Sequence, residues 1–378
     1  MLTLKTNDFK EVANLILSAT DSSELSTLTE TLELKTEGNT LYLNTTNKEY
    51  YSSVAFELDN PESFHATVNA NLFLKLIAAL TTEILELSLT DQYVIIKANG
   101  VYKIPLMFED DHLMDVPVIS IENKTVEMNI SGEILNSILI YNSKQLNLGS
   151  IKKPVQKMYY LDQSGCITFT SGATVNNFTL EKPIQILLNN RLVKLFKLFK
   201  NDMVHFTLGY DPLSETIIQT KVAFETPKIE LTAILATGDD LINTVPVSAL
   251  RGRANGTYPY TVVLNKDALI QSINRLLLFS AGYGTKENVK PCSTFEFSTD
   301  NVTAYDSKKE NFEKLTYQNG CTFDGSYSFM INLIDFKTTL DNCTEDYVTL
   351  CFGDSKAVVI KRANIINVIP EVHEKRPE

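Results

Sequence analysis

The chain has 378 residues, too many for one ordinary hydrophobic core, so two or three domains are expected. Hydrophobic residues make up 44% and charged residues 21%, the balance of a soluble globular protein, and no apolar run reaches the ~18 residues of a membrane span. With 34 Lys+Arg against 46 Asp+Glu the formal net charge is −12, which excludes a generally basic nucleic-acid binder but not one basic surface set among acidic ones.

The start, MLTLKTNDFK, lacks a basic segment followed by an apolar one, so no signal peptide is expected and the location reads as cytoplasmic. From Leu2, LTLKTNDFKEVANLILSAT reads as a short alternating strand, a cap at Asn7 and an amphipathic helix with Asp8 in its first turn. From Phe64, FHATVNANLFLKLIAAL repeats the pattern with Asn69 at the turn. The alternating strands of ILELSLTDQYVIIKANGVYKIPLMF follow, split at Thr90-Asp91. VPVIS (116–120) reads as a connector. From Val126, VEMNISGEILNSILIYNSK is again strand, cap (Ser131) and helix, with Glu133 in the first turn. From Ile184, IQILLNNRLVKLFKLF turns at Asn189. VPVSALRGRANGTYP (245–259) reads as a second connector. From Thr261, TVVLNKDALIQSINRLLLFSA carries Asn265 as cap and Asp267 after it. From Tyr327, YSFMINLIDFKTTL turns at Asn332, and YVTLCFGDSKAVVIKRANIINVIP closes with strands parted at Gly353-Asp354. Six strand–helix–strands units, two per domain, predict an α+β protein with domains at 1–121, 122–248 and 249–378.

The stretch NNRLVKLFKLFKN (189–201) gathers charge that the rest of the chain disperses. Arg191, Lys194, Lys197 and Lys200 fall three apart, while Leu192, Leu195, Phe196 and Phe199 keep the spacing of a helix face that packs on a sheet. On an α-helix Arg191 and Lys194 then face outward and Lys197 and Lys200 drift round the axis. A merely solvated face is the plain alternative. No catalytic motif accompanies it. GxSxG and GxxxxGK[ST] are absent, and Gly282-Tyr283-Gly284 lacks a third glycine and follows a helix. His65, His112, His205 and His373 lie far apart; His205, between Val204 and Phe206, reads as a strand residue, and Asp110-Asp111 as a solvated loop. Cys166, Cys292, Cys321, Cys343 and Cys351 are odd in number and never form CxxC, as free thiols of a reducing compartment do. No catalytic residue, metal or cofactor is expected.

The order of these units, together with MYYL (158–161), FTSG (169–172), LATGDDLINTVP (235–246) and NVIPEV (367–372), resembles the bacterial DNA polymerase III beta subunit, the DNA sliding clamp, in a divergent form such as a phage or plasmid carries. The resemblance spans essentially the whole chain, and none of these segments is a catalytic signature. It implies a three-domain DNA clamp fold closed into a homodimer ring, with helices lining the hole and antiparallel sheets outside. It implies a non-enzymatic processivity factor of DNA replication that encircles double-stranded DNA without reading its sequence. Arg191, Lys194, Lys197, Lys10, Lys75, Arg275 and Lys337 would face the DNA. Lys152, Lys153 and Lys157 would compensate for SATDSSELST (18–27) and Asn71-Leu72, where the family often offers basic residues, and the acidic excess would lie on the outer wall.

DNA polymerase and clamp loader would dock through a short apolar peptide in a pocket made by Leu161, Thr170, Gly172, Val175, Pro246, Val368, Ile369 and Pro370, with Val372 beside them. The tail HEKRPE would partly cover it, and deletion from residue 368 onward is expected to spare the ring. The ring seam would join Val101–Leu106 of one copy to Lys309–Tyr317 of the next, helped by Leu278 and Phe279, with Pro105 unable to donate a hydrogen bond. No membrane partner is expected. The alternatives are a structural or interaction protein of repeated domains without DNA, and a polysaccharide-processing enzyme, for which the sequence offers no carboxylate pair.

Overall fold

The computed structural model describes residues 1–20, 27–148, 151–214, 217–235, 239–280, 291–306, 308–318, 325–353 and 356–372. In chain order these form β1 (Leu2–Lys5), α1 (Thr6–Leu17), β2 (Thr31–Glu37), β3 (Thr40–Thr46), β4 (Tyr50–Glu57), β5 (His65–Asn69), α2 (Ala70–Ala79), β6 (Ile84–Leu89), β7 (Tyr93–Lys97), β8 (Val101–Pro105), β9 (Phe108–Glu109) and β10 (His112–Leu113). Then come β11 (Lys124–Ser131), α3 (Gly132–Ser137), a π-helical turn, α4 (Ser143–Gln145), β12 (Met158–Asp162), β13 (Gly165–Phe169), β14 (Ala173–Asn177), β15 (Gln185–Asn189), α5 (Asn190–Lys194), β16 (Met203–Pro212), β17 (Ile218–Glu225), β18 (Ile229–Ile234) and α6 (Asp239–Asn243). The last are α7 (Val247–Ala254), β19 (Tyr260–Asn265), α8 (Lys266–Ser280), β20 (Cys292–Phe297), β21 (Asn301–Tyr305), β22 (Phe312–Thr316), β23 (Tyr327–Asn332), α9 (Leu333–Leu340), β24 (Tyr347–Phe352), β25 (Ala357–Lys361) and β26 (Ile365–Pro370).

All six expected strand-to-helix junctions are present: β1–α1, β5–α2, β11–α3, β15–α5, β19–α8 and β23–α9. Four of them are capped by the Asn or Ser at the turn. Asn69 Oδ1 accepts from Leu72 N (3.0 Å), Asn265 Oδ1 from Ala268 N (2.9 Å), and Asn332 Oδ1 from Ile334 N and Asp335 N. Ser131 accepts from Glu133 N at 3.2 Å. Asn7 does not cap α1. That helix begins one residue earlier, and the N–H of Thr6 is satisfied by the Glu83 carbonyl at 2.9 Å. The same backbone device recurs where Gly132 N reaches Asp202 O, Lys266 N reaches Asp346 O and Leu333 N reaches Pro291 O. Lys5, rather than Asn7, is therefore the equivalent of Ser131 and Asn265. The expected connector at 245–259 is also revised, because it contains α7.

The chain divides into two compact units, Met1–Asn136 with Arg191–Thr237, and Ser137–Asn190 with Gly238–Glu378. The first holds an eight-stranded sheet, β11-β16-β17-β18-β4-β3-β2-β5, and a four-stranded sheet, β1-β6-β7-β8. The second holds β15-β12-β13-β14-β26-β25-β24-β19 and β22-β21-β20-β23. The pairings are antiparallel. The β18–β4 ladder (Thr232 opposite Tyr51) joins strands from either side of residue 121, and β14–β26 (Ala173 opposite Val368) joins strands from either side of residue 248. Asp110 and Asp111 form the exposed positive-φ turn of the β9–β10 hairpin, a conformation Asp tolerates, and His205 lies in β16. Cys166, Cys343 and Cys351 are buried thiols; Cys321, Gly282-Tyr283-Gly284 and the tail from His373 lie outside the described residues.

Candidate functional site

The cationic stretch folds as α5 followed by a 3-10 turn, Leu195–Leu198. Leu192, Val193, Leu195, Phe196, Leu198 and Phe199 are each at most 2% exposed, whereas Arg191, Lys194, Lys197 and Lys200 are all exposed. Phe196 and Phe199 pack on Phe224 of β17 with ring centroids 5.0 and 6.1 Å apart. The 3-10 turn corrects the expected drift. With three residues per turn, side chains three apart eclipse, so Lys197 stays in line with Lys194. Lys200 ends the helix at φ 41°, and its carbonyl accepts from Asn136 Nδ2 at 2.6 Å. Arg191 lies 3.7 Å from Glu49.

The remaining cations divide. Lys75 is exposed on α2. Lys10 is half-buried and donates to the Leu80 carbonyl, and Lys337 is half-buried on α9. Arg275 forms a two-bond pair with Glu313 (2.6 and 2.8 Å), which raises the guanidinium further and holds the carboxyl below its usual range. Arg275 therefore presents no unanswered charge, whereas Lys10 is bonded only to a neutral carbonyl. Lys152, Lys153 and Lys157 are exposed around a 3-10 turn, Pro154–Lys157, whose Val155 is buried in a cluster with Val175, Val245 and Val368.

The face of the first unit's large sheet opposite Phe224 carries its acid. Phe224 and Leu231 point to the core, so their neighbours Glu225 and Glu230 point away, and Glu33, Asn44, Ser53, Glu230, Glu225 and His205 lie side by side across six strands. Glu225 and Glu230 are directly opposite each other. Burial first, and the Glu225 charge second, push the Glu230 carboxyl above its usual range.

The peptide-pocket residues converge, but not all on one face. β14 pairs with β26, and α7 packs on both strands. Val175 and Val368 join Tyr160, Ile167 and Val245 in one buried cluster, rimmed by half-buried Met158, Phe169, Leu241, Ile242, Val247 and Leu250. Pro246 is exposed and opens α7. Leu161 follows Tyr160, so the pleat turns it to the other face. Ile369 likewise leaves Val368 and joins the separate core of Leu350 and Phe352. Thr170 is buried and bonded to Gln145 Nε2 at 2.9 Å. Gly172 passes so close to β26 that an added Cβ would sit 2.4 Å from the Val368 carbonyl. Four of the expected residues, Gly172, Val368, Ile369 and Pro370, do line one small cleft, together with Gln145, Leu148, Ser171, Asp335 and Thr339. The half-buried residues of α6 and α7 were missed in sequence. The spacing of Val247, Leu250 and Ala254 is the signal that finds them.

Among the described residues no three His, Cys, Asp or Glu side chains are placed to hold a metal, and no helix is long and apolar enough to cross a membrane. No family description and no curated protein matches the sequence. Solved structures do match. The chain is similar to the DNA polymerase III beta subunit of Thermotoga maritima (TM-score 0.76, 13% identity, 99% of each chain). It is similar to the Pseudomonas aeruginosa sliding clamp bound to griselimycin (TM-score 0.77, 13% identity, 98% of this chain and 99% of that one). It is also similar to the beta subunit from the DNA polymerase of Streptococcus pyogenes (TM-score 0.78, 14% identity, 98% and 99%). Along essentially its full length, the chain has the fold of these sliding clamps.

Proposed function

We propose that this protein is a DNA sliding clamp, a non-catalytic accessory factor that encircles duplex DNA as a homodimer ring of three-domain subunits and tethers a polymerase. The observation that carries the reading is the separation of charge across one sheet. The eclipsed cations of residues 191–200 lie on the side of Phe196 and Phe199, and the Glu33–Glu230–Glu225 row lies on the opposite face. Arg191, Lys194, Lys197 and Lys75 contact phosphates weakly and without base readout. A closed ring needs no more, because topology rather than affinity prevents escape. Partners dock through an apolar peptide at the cleft that Gly172, Val368, Ile369 and Pro370 line.

The test is the subunit count in solution together with retention on nicked circular DNA. A clamp is a dimer that stays on the circle and slides off once the circle is cut. A protein that assembles but is not retained is a structural protein of repeated domains.

A further inference from the structure

The helix pairs α1–α2, α3–α5 and α8–α9 are closed by one repeated clasp. The first residue of the leading helix sends its backbone N–H into the loop that leaves the following helix. Thr6 N reaches Glu83 O at 2.9 Å, Gly132 N reaches Asp202 O at 2.7 Å and Lys266 N reaches Asp346 O at 2.9 Å. A side-chain donor on the same leading helix takes a second carbonyl just upstream of the first. Lys10 Nζ donates to Leu80 O, Asn136 Nδ2 to Lys200 O at 2.6 Å, and Lys266 Nζ to Cys343 O at 3.2 Å. Leu80 is the C-cap of α2, and Lys200 and Cys343 lie just past the C-caps Phe199 and Asp341. Helix ends of this kind carry unpaired carbonyls and the negative end of the dipole.

The charge of the donor follows the charge of the end it holds. α2 has no basic residue in its last turn, and Lys10 brings a cation to it from the neighbouring helix. α9 carries Lys337 but also Asp335 and Asp341, and its clasp is again a lysine, Lys266. From Asn190 to Lys200 there are four cations and no acid, and there the donor is the neutral amide of Asn136.

The geometry points to Asn136 as the positioning residue of the cationic stripe, and to Lys10 and Lys266 as its counterparts, cations that serve helix ends rather than DNA. The inference rests on the DNA reading above and adds which residue aims the stripe. Asn136 acts through the Lys200 carbonyl, at the positive-φ residue (φ 41°) where the chain turns out of the helix. With that carbonyl released, the turn bearing Lys197 and Lys200 must be ordered at the moment a phosphate is met.

The experiment measures binding of a short labelled duplex to the full chain over a range of salt concentrations, beside urea midpoints of the same variants. Asn136→Ala is expected to bind roughly threefold to tenfold more weakly, with the log–log salt slope reduced by about one, the equivalent of one phosphate contact. Asn136→Gln, which keeps an amide donor, should restore both. Lys10→Met should lower the urea midpoint and leave affinity and slope at the parent's values. Asn136→Lys keeps a donor but adds a like charge, so its midpoint should fall at low salt and recover at high salt. This variant carries the test if the alanine variant does not fold. Asn136→Ala with a lowered midpoint and unchanged DNA binding would reduce Asn136 to a structural role and overturn the inference. So would a glutamine variant as weak as the alanine one, a Lys10→Met variant that loses one unit of slope at an unchanged midpoint, or an Asn136→Lys midpoint that rises at low salt. Failure of the parent chain to bind duplex at any salt would sink the DNA reading and this inference with it.

Discussion

Gly132 shows how one residue fixes the cationic helix from outside it. Its N–H bonds the Asp202 carbonyl, and a Cβ at this position would lie 2.4 Å from Lys200 O and 2.8 Å from Phe199 O, both backbone atoms that cannot step aside. Gly132→Ala should therefore cost about 1–3 kcal/mol, as overpacking does, read as a lower urea midpoint at unchanged slope. A midpoint equal to the parent's would mean that the 199–202 turn yields. Two carboxylates make opposite predictions with pH. Asp211 is drawn below its usual range because the Asn123 and Glu122 N–H groups and the Lys221 ammonium, 3.0 Å away, outweigh its burial. Its contribution is complete above the unfolded pKa of about 4 and is lost as pH falls through the lower folded value. Glu230 is raised, so the folded state holds its proton more tightly than the unfolded chain does, and stability falls as pH rises through that window. Glu230→Gln should raise the melting temperature at neutral pH and change little under acid conditions. A lower melting temperature at neutral pH would show that the carboxylate has a partner worth more than the repulsion from Glu225.

At the scale of the element, the helix of residues 190–198 turns a three-residue charge repeat into a straight stripe by changing from α to 3-10 where the lysines need it. Arg191→Glu with Lys194→Glu should leave the fold intact, since both are exposed, and should weaken binding to DNA. If each makes one phosphate contact, the salt dependence should fall by about two in log–log slope. An unchanged slope would remove both residues from the DNA surface. The six junctions were legible in the sequence because strand alternation, an Asn or Ser at the turn and an amphipathic run are all local signals. The 3-10 turn was not, because nothing in KLFKLFK distinguishes it from an α-helix until Phe199 must meet Phe224. The convergence of FTSG with NVIP was legible only through resemblance, since the β14–β26 ladder joins residues 173–176 to 365–368. The sharing of pocket residues between two faces is a consequence of pleat and register, which no single segment announces. The same ladder corrects the expectation that deletion from residue 368 spares the ring. Val368 and Ile369 belong to an interior strand paired on both sides, so that cut removes part of the sheet.

At the scale of the whole molecule, the two four-stranded sheets leave β8 and β22 as open edges, the two stretches expected to form a seam. Backbone direction on each edge follows from the ladders. Leu106 N bonds Gln92 O and Asp306 N bonds Asn311 O, so Tyr102 and Ile104 turn their amides toward β7, and Glu313 and Leu315 turn theirs toward β21. Val101, Lys103 and Pro105 on one edge, and Phe312, Lys314 and Thr316 on the other, therefore point outward. Pro105 costs nothing within its own sheet, because the donor it lacks would have faced away from β7; just beyond it Leu106 bridges Val68 and Met107 N bonds Thr67 O, so β5 of the same chain covers that end and shortens what the edge offers a second copy. The Glu313 side chain is tied to Arg275 of α8, leaving Lys314 central on its edge as Lys103 is on the other. A register that set these two lysines opposite each other would be repulsive, so we expect a two-residue shift that places Lys103 beside Phe312 or Thr316. Proline scanning separates the seam from the sheet. Lys314→Pro removes an outward donor and should convert the proposed dimer to monomer in sedimentation at micromolar concentration with little change in melting temperature. Glu313→Pro removes an inward donor and should lower the melting temperature itself. If Lys314→Pro remains a dimer, the edge strands do not form the seam, and the exposed Leu278 and Phe279 of α8 become the surface to test next.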